Sequence, residues 1–413
     1  MRIGLLASHP VQYNTPVFRE LSKTTQLHVY YGHRQTSFQQ AEVGYGVAFD
    51  WDVDLLDGHE HSFLDNVASE PGVGRFRDCD TPSILEFIDI AGYDAFVVMG
   101  WSLKCYWQAV MACRSRAVPV LVRGDSQLMS PRSVARKAVK RLAQGQLLGY
   151  FDGFLSAGQR NKEYLMHYGV SSERIFWAPH SVDVTWFGDK AREARQARSE
   201  FRKQMGIAPE SVVLLFVGRC LPWKRPFDVV NAAARLRARG VETEVVVVGD
   251  GPLRRETARL ARGLGVRYHD IGFQNQAALP GYYTSADVLI VPSTGEETWG
   301  LVVNEAFACG LPAVVSDAVG CGPDLIQPGE TGALFGACDT ESLVDSVAQL
   351  LPALGGVQMR EALASKSAVH SPSETARGIL HAVAELSRID VGSRATRWAT
   401  LPSPIPMLER LSW

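Results

Sequence analysis

The sequence predicts an α/β protein in which two doubly wound, Rossmann-like domains face each other across a cleft. Three observations lead to this fold class. The chain has 413 residues, more than one ordinary domain holds. Hydrophobic residues make up 46% of it and charged residues 21%, which is typical of a globular protein. Short apolar runs alternate with helical stretches in two consecutive series, as buried parallel strands and their crossover helices do.

The first series occupies residues 1–188, which we expect to form the N-terminal domain. Each apolar run is short enough for one strand and leads into a loop at the carboxyl edge of the sheet, where open α/β sheets bind ligands. The predicted strands are RIGLLAS (2–8), QLHVYYG (26–32), DAFVVMG (94–100), PVLVRGD (119–125) and GFLSAG (153–158).

A charged run, KAREARQARSEFRKQMG, separates the two series and predicts a solvated helical connector over about 189–210. Residues 211–365 then form the second predicted domain. Its predicted strands are VVLLFVG (212–218), EVVVVG (244–249), VRYHDIG (266–272), DVLIVPS (287–293) and PAVVSD (312–317). Residues 366–413 are expected to form a helix and tail that pack back toward the first domain. The proline-punctuated end of this tail is expected to be extended or loosely packed.

Composition argues against several classes of protein. A net charge of −2 offers no footprint for nucleic acid. The seven cysteines form no C-x-x-C pair and suggest neither a metal site nor a disulfide scaffold, so they fit a reducing compartment. The N-terminal run is too short for a signal peptide, and no apolar run approaches the about 18 residues of a membrane span. We therefore expect a cytoplasmic protein, or one peripheral to the inner face of the membrane, without a metal or a cofactor.

Two cations follow the first strand of the second domain. In FVGRCLPWKRP, Arg219 and Lys224 stand in the loop after Gly218, at the carboxyl end of the strand. Charge-assisted hydrogen bonds of about 1.5 to 3 kcal/mol each would let this pair hold a diphosphate. The alternative is a solvated basic loop in which the two prolines form turns.

The next strand runs into Gly249-Asp250-Gly251-Pro252, which is part of a dinucleotide-binding fingerprint. Arg254 stands where a third glycine would be needed, and Pro252 suits the start of a helix. The turn either brings a ligand close to the backbone or is only structural, and both interpretations stay open.

The stretch EETWGLVVNEA (296–306) holds two glutamates around a predicted helix start. Glu297 precedes the helix and Glu305 lies inside it. Backbone N–H groups near Gly300 would bind an anion at the helix N-terminus, adding about 0.3 to 2 kcal/mol for a phosphate. Glu297 would lie beside whatever that phosphate carries, and Glu305 could accept hydrogen bonds from vicinal hydroxyls such as those of a ribose. The alternatives are a first-turn carboxylate and a solvated helix residue, although the apolar neighbours of Glu305 argue against an idle side chain.

These motifs together resemble the donor domain of retaining GT-B glycosyltransferases of glycosyltransferase family 4 (glycosyl transferases group 1). The resemblance covers residues 211 to about 340 in order, and the first domain resembles the family more loosely through FLSAGQRNKEYLMHYGVSSERIFWAPHSVD. The matching segments are VGRCLPWKRP, VVGDGPL, DIGF, GYYTSADVLIVPS, EETWGLVVNEAFACGLPAVVSDAVG and DLIQPGETGALF.

The resemblance implies a role for each matched residue. Arg219 and Lys224 match the pair that contacts the nucleotide diphosphate and supports the leaving group in place of a metal. Glu297 matches the glutamate close to the hydroxyls of the transferred sugar, and these three are the predicted catalytic residues. Glu305 matches the residue that binds the ribose. The predicted donor-binding residues are Gly218, Gly249, Gly251, Gly272, Phe273, Thr298, Trp299, Gly300, Leu301 and Glu305.

Within that set, the backbone of 299–301 would meet the diphosphate, and Gly272 and Phe273 would border the base. The implied reaction is a metal-independent transfer, with retention of configuration, from a UDP- or GDP-sugar to a glycan or lipid-linked saccharide. The chain departs from the family after two strands of its first domain, where a glycine-rich loop and a histidine are expected. The roles of His9, Asn14, Arg123 and Asp125, which stand there instead, stay open.

Other classes of protein compete with this interpretation. A metal-dependent transferase would use a D-x-D motif, but Asp52-Val53-Asp54 and Asp78-Cys79-Asp80 follow no apolar run and suit a surface role better. A glycosidase would use the paired glutamates as acid and nucleophile, which leaves the cationic loop without a purpose. A GT-B sugar-nucleotide epimerase or hydrolase, and a sugar-nucleotide-binding protein without turnover, remain alternatives.

A basic segment, residues 131–148, contains arginines and lysines and no acid. It predicts either a solvated basic face or contact with an anionic membrane that carries a lipid-linked acceptor.

Overall fold

The computed structural model describes residues 1–40, 47–129, 144–388 and 402–410. These residues form two parallel sheets, each covered by helices, and the α/β fold class is confirmed. The first sheet has the order β3-β2-β1-β4-β5-β6-β7, and all neighbouring strands are parallel. Its strands are β1 (Arg2–Ala7), β2 (Gln26–Tyr31), β3 (Glu60–Phe63), β4 (Ala95–Val98), β5 (Val120–Gly124), β6 (Gly153–Ser156) and β7 (Ile175–Trp177).

Helices cover both faces of this sheet, since each crossover between parallel strands must pass over one face. The helices described in the first domain are α1 (Thr15–Ser22), α2 (Ser37–Gln40), α3 (Ile84–Ala91), α4 (Lys104–Ser115) and α5 (Gln159–His167).

The second sheet has the order β10-β9-β8-β11-β12-β13, which is the strand order of a doubly wound nucleotide-binding fold. All its pairs are parallel. Its strands are β8 (Val212–Val217), β9 (Thr243–Val248), β10 (Arg267–Gly272), β11 (Val288–Val291), β12 (Ala313–Ser316) and β13 (Gly332–Phe335).

Two helices lead into the second domain and seven follow within the described residues. The leading helices are α6 (Val184–Gln196) and α7 (Arg198–Gln204). The others are α8 (Pro226–Ala238), α9 (Arg254–Gly263), α10 (Leu279–Ser285), α11 (Leu301–Ala308), α12 (Gly322–Leu325), α13 (Thr340–Leu350) and α14 (Val357–Val369).

Each predicted apolar run contains a strand, because central strands buried on both faces need continuous apolar sequence. In β9, for example, Val245, Val246 and Val247 are fully buried. The strands that the sequence did not indicate are β3, β7 and β13, which lie at sheet edges and have only three or four residues.

Most of the connector is exposed to solvent, as expected, but its helices also pack on the second domain through a few buried positions. Phe187 and Ala191 of α6 belong to the core of the second domain. Arg198 and Arg202 both pair with Asp287, at 2.7 and 2.6 Å, and Arg202 is only 6% exposed. Three charges brought together this way can be buried because each finds a partner.

The C-terminal part returns to the first domain. Helix α15 (Pro372–Ser387) lies against α1, and its Ile379 and Val383 are buried in the first domain's core. Residues Ile405–Arg410 form a last helix, α16, whose Leu408 is buried and whose Glu409 pairs with Lys104 at 2.9 Å. The expectation that this end is extended or loosely packed is therefore wrong for the described residues of the tail. Leu408 joins the hydrophobic core of the first domain, and Ile405 packs against it.

Candidate active site

The carboxyl edges of the two sheets meet around a cavity of about 390 Å³. Each sheet reverses its strand order beside this cavity, between β1 and β4 and between β8 and β11, and ligands of open α/β sheets bind at such points. The predicted site residues that line the cavity are Gly218, Arg219, Lys224, Gly249, Phe273, Glu297, Thr298, Trp299, Gly300, Leu301 and Glu305.

Lys224 and Glu297 form an ion pair on the floor of this cavity. Lys224 lies in a short turn after β8, and Glu297 lies in the loop after β11. Their side chains are 14% and 13% exposed, and the hydroxyl of Ser293 also donates to Glu297, at 3.1 Å. Two residues that the sequence predicted separately, Lys224 and Glu297, are thus partners, and their ammonium and carboxylate groups lie side by side in the cavity.

The N-terminus of α11 opens into the same cavity. Gly300 is its N-cap and has a φ of 99°, a left-handed conformation that favours glycine. The first helical residues, Leu301 and Val302, line the cavity. Backbone N–H groups of a first helical turn have no partner within the helix, and the helix dipole favours negative charge there. This end of α11 therefore suits an anionic group beside Lys224.

Glu305 lies one turn inside α11 and reaches the cavity wall. The Tyr283 hydroxyl donates to its carboxylate, with 2.5 Å between the oxygens. Burial raises the pKa of Glu305 to about 7, although the hydrogen bond from Tyr283 opposes this shift. The alternative of a solvated helix residue is excluded. A carboxylate with one oxygen held by tyrosine can offer the other to a ligand hydroxyl.

The glycine turn after β9 lies directly behind the loop after β8. A Cβ atom on Gly249 would collide with the carbonyl of Gly218, so the two backbones touch, and both residues line the cavity. Gly251 and Gly272 are outside the described lining. Gly251 packs on the backbone of Cys220, and the carbonyl of Gly272 accepts the N–H of Gly249 at 2.8 Å. The turn is thus structural at its second glycine and faces the cavity at its first.

Five residues of the first domain line the opposite wall, and the sequence motifs had indicated only Asp125 among them. Asp125 accepts a hydrogen bond from the hydroxyl of Thr298 in the second domain, at 2.7 Å, and its carboxylate is 3.9 Å from the ring of His180. Burial opposes ionisation of Asp125, but these two neighbours more than offset it and hold its pKa low. The five residues are Gln12, Tyr13, Trp51, Asp125 and His180.

His180 follows the short edge strand β7, and its position at the end of that strand is the signal that could have identified it. Burial lowers the pKa of its ring, so the imidazole is neutral near pH 7. Arg123, whose role was open, lies outside the described cavity lining and donates to the carbonyls of Ala178 and Pro179, at 2.5 and 3.1 Å. Arg123 therefore holds the backbone that presents His180.

His9 and Asn14 also lie outside the described lining of the cavity. His9 is within 2.9 Å of the Ser8 hydroxyl, and burial lowers its pKa to about 4. Asn14 caps α1 through its backbone, without a side-chain hydrogen bond to the helix.

The aspartates of both D-x-D motifs make hydrogen bonds or ion pairs with other residues of the protein. Asp54 accepts the N–H groups of Leu56 and Asp57, and Asp80 pairs with Lys104 at 2.7 Å. Within the described ranges, no group of three or more His, Cys, Asp or Glu side chains is arranged to hold a metal ion.

Backbone and side-chain bonds join the two domains beside the cavity. The amide of Gln127 donates to the carbonyl of Glu297 at 2.8 Å and accepts from Arg160 at 3.3 Å. The carboxylate of Asp324 accepts the N–H of Gln159, the first residue of α5, at 3.1 Å. A carboxylate at a helix N-terminus is stabilising, so the second domain caps a helix of the first.

Most of the predicted membrane-contact segment, 131–148, lies outside the described residues, which resume at 144. Among the helices that are described, none combines the length and the apolar character needed to cross a bilayer.

Known proteins resemble this chain in sequence and in fold. Residues 197–367 match the family model "Glycosyl transferases group 1". A D-inositol 3-phosphate glycosyltransferase of Actinosynnema mirum is 31% identical over 290 residues, which are 66% of this chain and 65% of that protein. A second such protein, from Catenulispora acidiphila, is 36% identical over 208 residues, 47% of this chain and 46% of its own. The chain thus spans less than two thirds of the length of these relatives.

Solved structures show the same fold over nearly the whole chain. A glycosyltransferase of Rickettsia africae superposes with a TM-score of 0.70 at 15% identity, covering 94% of this chain and 99% of the other. Anabaena Alr3699/HepE, crystallised in complex with UDP, superposes with a TM-score of 0.69 at 16% identity, covering 93% and 100%. Residues 197–367 thus resemble the glycosyl transferases group 1 family, and the two domains form the GT-B fold.

Proposed function

We propose that the protein transfers a sugar, with retention of configuration and without a metal, from a UDP- or GDP-sugar to a saccharide or lipid-linked acceptor in the cleft. The observation that carries this proposal is the Lys224–Glu297 pair at the N-terminus of α11. It combines a cation, helix N–H groups and a carboxylate within one cavity. Phosphate oxygens would accept hydrogen bonds from the cation and from the helix N–H groups, and sugar hydroxyls would donate to the carboxylate.

The donor would lie along the second domain. Its diphosphate would accept hydrogen bonds from Arg219, Lys224 and the first turn of α11, all of which line the cavity. When the bond between the anomeric carbon and the diphosphate breaks, negative charge grows on the leaving oxygen. Cations and helix dipoles already in place stabilise that charge without reorganising, which is the basis of electrostatic catalysis.

Glu297 would change partner when the donor binds. A diphosphate that accepts from Lys224 competes with the carboxylate for the ammonium group. The carboxylate is then available to accept hydrogen bonds from hydroxyls of the transferred sugar. Binding of the donor and positioning of its sugar are thereby coupled through one lysine.

The acceptor would enter from the first domain, whose wall of the cavity carries Gln12, Tyr13 and His180. These side chains offer neutral hydrogen-bonding groups and aromatic faces, which suit a polyhydroxyl ligand. Because relatives are named D-inositol 3-phosphate glycosyltransferase, that phosphorylated cyclitol is the first small acceptor to assay. Lipid-linked saccharides form the second part of the panel.

The proposal is tested first by thermal-shift screening against UDP-, GDP- and dTDP-sugars, since a ligand of the native state raises its stability. The sugar nucleotide that binds is then incubated with and without the acceptor panel, and with EDTA. Acceptor-dependent release of the nucleoside diphosphate that survives EDTA supports the proposal. An epimerised sugar, hydrolysis without an acceptor, or complete loss of activity in EDTA would contradict it and favour the corresponding alternative.

A further inference from the structure

A short segment of the first domain, residues 49–52, lies across the cleft on the second domain. The side-chain amide of Asn275 donates to the carbonyl of Asp50 at 2.7 Å. The carboxylate of Asp52 accepts the backbone N–H of Ala277 at 3.0 Å. Ala277 is in the short 3-10 helix Gln276–Ala278, so Asp52, the first residue of a D-x-D motif, caps a helix of the other domain.

The same segment carries two aromatic rings into the cleft. The ring of Phe49 lies between that of Phe273, at a centroid distance of 4.5 Å, and that of Trp51, at 5.0 Å. Trp51 and Phe273 both line the cavity, together with Gln274 and Gln276. Trp51 and Phe273, which Phe49 bridges, thus form an aromatic wall contributed by both domains, edged by amide groups that can donate and accept hydrogen bonds.

The root of the segment is fixed to α1. The guanidinium of Arg19 donates to the carbonyls of Asp54 and Asp57, at 2.9 and 3.0 Å, and the hydroxyl of Thr15 donates to that of Leu55 at 2.9 Å. Residues 54–57, which follow the segment, are therefore bonded to the first domain, and residues 50 and 52 are bonded to the second domain. The segment cannot leave the cavity without either domain separation or loss of these bonds.

The position of this wall relative to the Lys224–Glu297 pair matches the length of a nucleotide. Phe273 follows β10, which is separated from β8 by the single strand β9. Two strand spacings are about 10 Å. A nucleoside diphosphate whose phosphates bind after β8 would place its planar base at about this distance, beside the aromatic wall.

We propose that residues 49–52 form the first-domain half of the nucleobase subsite, with the donor's base packed against Trp51, so that base recognition requires both domains. This inference rests on the proposed function, because it takes the nucleoside diphosphate as the ligand. An apolar ring face buries the face of the base, and the amides of Gln274 and Gln276 lie beside it to pair with the base edge. Base binding then favours the arrangement in which the two domains touch.

The test uses the full chain and measures affinity by titration calorimetry for UDP, for GDP and for ribose 5-diphosphate, which lacks a base. Base–aromatic stacking predicts that Trp51→Ala weakens binding of the preferred nucleoside diphosphate about tenfold. The same variant should leave ribose 5-diphosphate binding unchanged, and Trp51→Phe should restore most of the loss. Phe87→Ala, which changes an exposed aromatic of α3 outside the described cavity lining, is the matched control.

The possible failures are distinguishable. If the wild type binds neither UDP nor GDP, the proposed function itself is wrong. If the wild type binds but Trp51→Ala behaves like Phe87→Ala, residues 49–52 do not contact the base. An equal loss for UDP and ribose 5-diphosphate would also overturn the inference, because Trp51 would then act on the phosphates or on the domain contact.

Discussion

The two domains share a doubly wound topology but present different chemistry at their carboxyl edges. The second domain carries two cations, a helix N-terminus and three carboxylates, and it pairs Lys224 with Glu297 and Tyr283 with Glu305. The first domain presents Gln12, aromatic rings, a neutral histidine and one carboxylate. The scaffold therefore does not decide the ligand. The loops at each edge do: in the proposed function the charged wall of the second domain binds the donor's diphosphate, and Gln12, Tyr13 and His180 of the first domain face the acceptor.

The largest expected effect comes from Glu297→Gln. Because Glu297 would contact the transferred sugar, we expect turnover to fall about 100-fold, the size of effect seen when one transition-state contact is removed. Affinity for the nucleoside diphosphate should stay the same or rise, because Lys224 loses its competing partner. The measurement is kcat with saturating donor, together with calorimetric titration of UDP or GDP.

Glu296→Gln is the matched control for this variant. Glu296 is the exposed neighbour of Glu297, and its carboxylate accepts a hydrogen bond from Thr294. It should keep wild-type turnover. Equal turnover in the two variants would show that Glu297 has no role in the transfer.

The second largest effect is on the pH dependence of nucleoside diphosphate binding. If ribose hydroxyls donate to ionised Glu305, binding below the pKa of about 7 requires loss of its proton. Affinity for the nucleoside diphosphate should then fall by up to about tenfold per pH unit below pH 7. In Glu305→Gln the part of the pH dependence that comes from Glu305 should be absent. Ionisation of the ligand's phosphate affects both proteins equally, so the variant also corrects for it. Parallel pH profiles for the two proteins would show that Glu305 does not bind the ribose.

A third, smaller effect tests the acceptor side. Gln12→Ala removes a hydrogen-bonding group from the first-domain wall, where a neutral hydrogen bond contributes about 1 kcal/mol. We expect the KM for the acceptor to rise about fivefold while the Kd for the nucleoside diphosphate stays constant. A changed Kd with constant acceptor KM would break the proposed division between the two walls.

The smallest effect is on stability. The pKa of Glu305 in the folded chain, about 7, is above its ordinary value because burial disfavours the charged form. The free energy of unfolding of the wild type, compared with that of Glu305→Gln, should therefore be highest below about pH 4.5. This difference should decrease as the pH rises from there through 7. The Tm of the wild type minus that of the variant, measured by thermal unfolding, should be lower at pH 8 than at pH 5 by a few degrees. A constant difference would contradict a buried, ionisable Glu305.

The sequence predicted the central strands and the donor motifs because both depend on short stretches of chain. Buried strands such as β8 and β9 read as continuous apolar runs, and the residues after them fall at the sheet's functional edge by topology alone. The edge strands β3 and β7 were not indicated, since three or four residues carry too weak a pattern. The end of the tail was expected to be extended or loosely packed because its prolines interrupt any period. Neither the tail nor the connector reveals in its sequence the partners that it finds in the fold, which include Lys104 and Asp287.

The first-domain wall was largely inaccessible to sequence reasoning. Tyr13, Trp51 and His180 come from three separate loops, and none stands in a motif whose spacing indicates a ligand. Lys224 and Glu297 were each predicted, but their ion pair joins positions 73 residues apart and emerges only when β8 and β11 lie side by side. Local patterns thus predicted the cavity residues of the second domain, whereas the first-domain residues of the cleft come together only through tertiary contacts.

The central claim is that the second domain binds a nucleoside diphosphate between its cationic loop and α11. Calorimetric titration of UDP and GDP into the wild type and into Arg219→Ala/Lys224→Ala, at low and high salt, tests it most directly. We predict binding of at least one nucleotide to the wild type, weaker at high salt, and a loss of about 100-fold or more in the double variant, since two charge-assisted contacts are removed. Equal affinity in the two proteins, or no binding of either nucleotide to the wild type, would contradict the account.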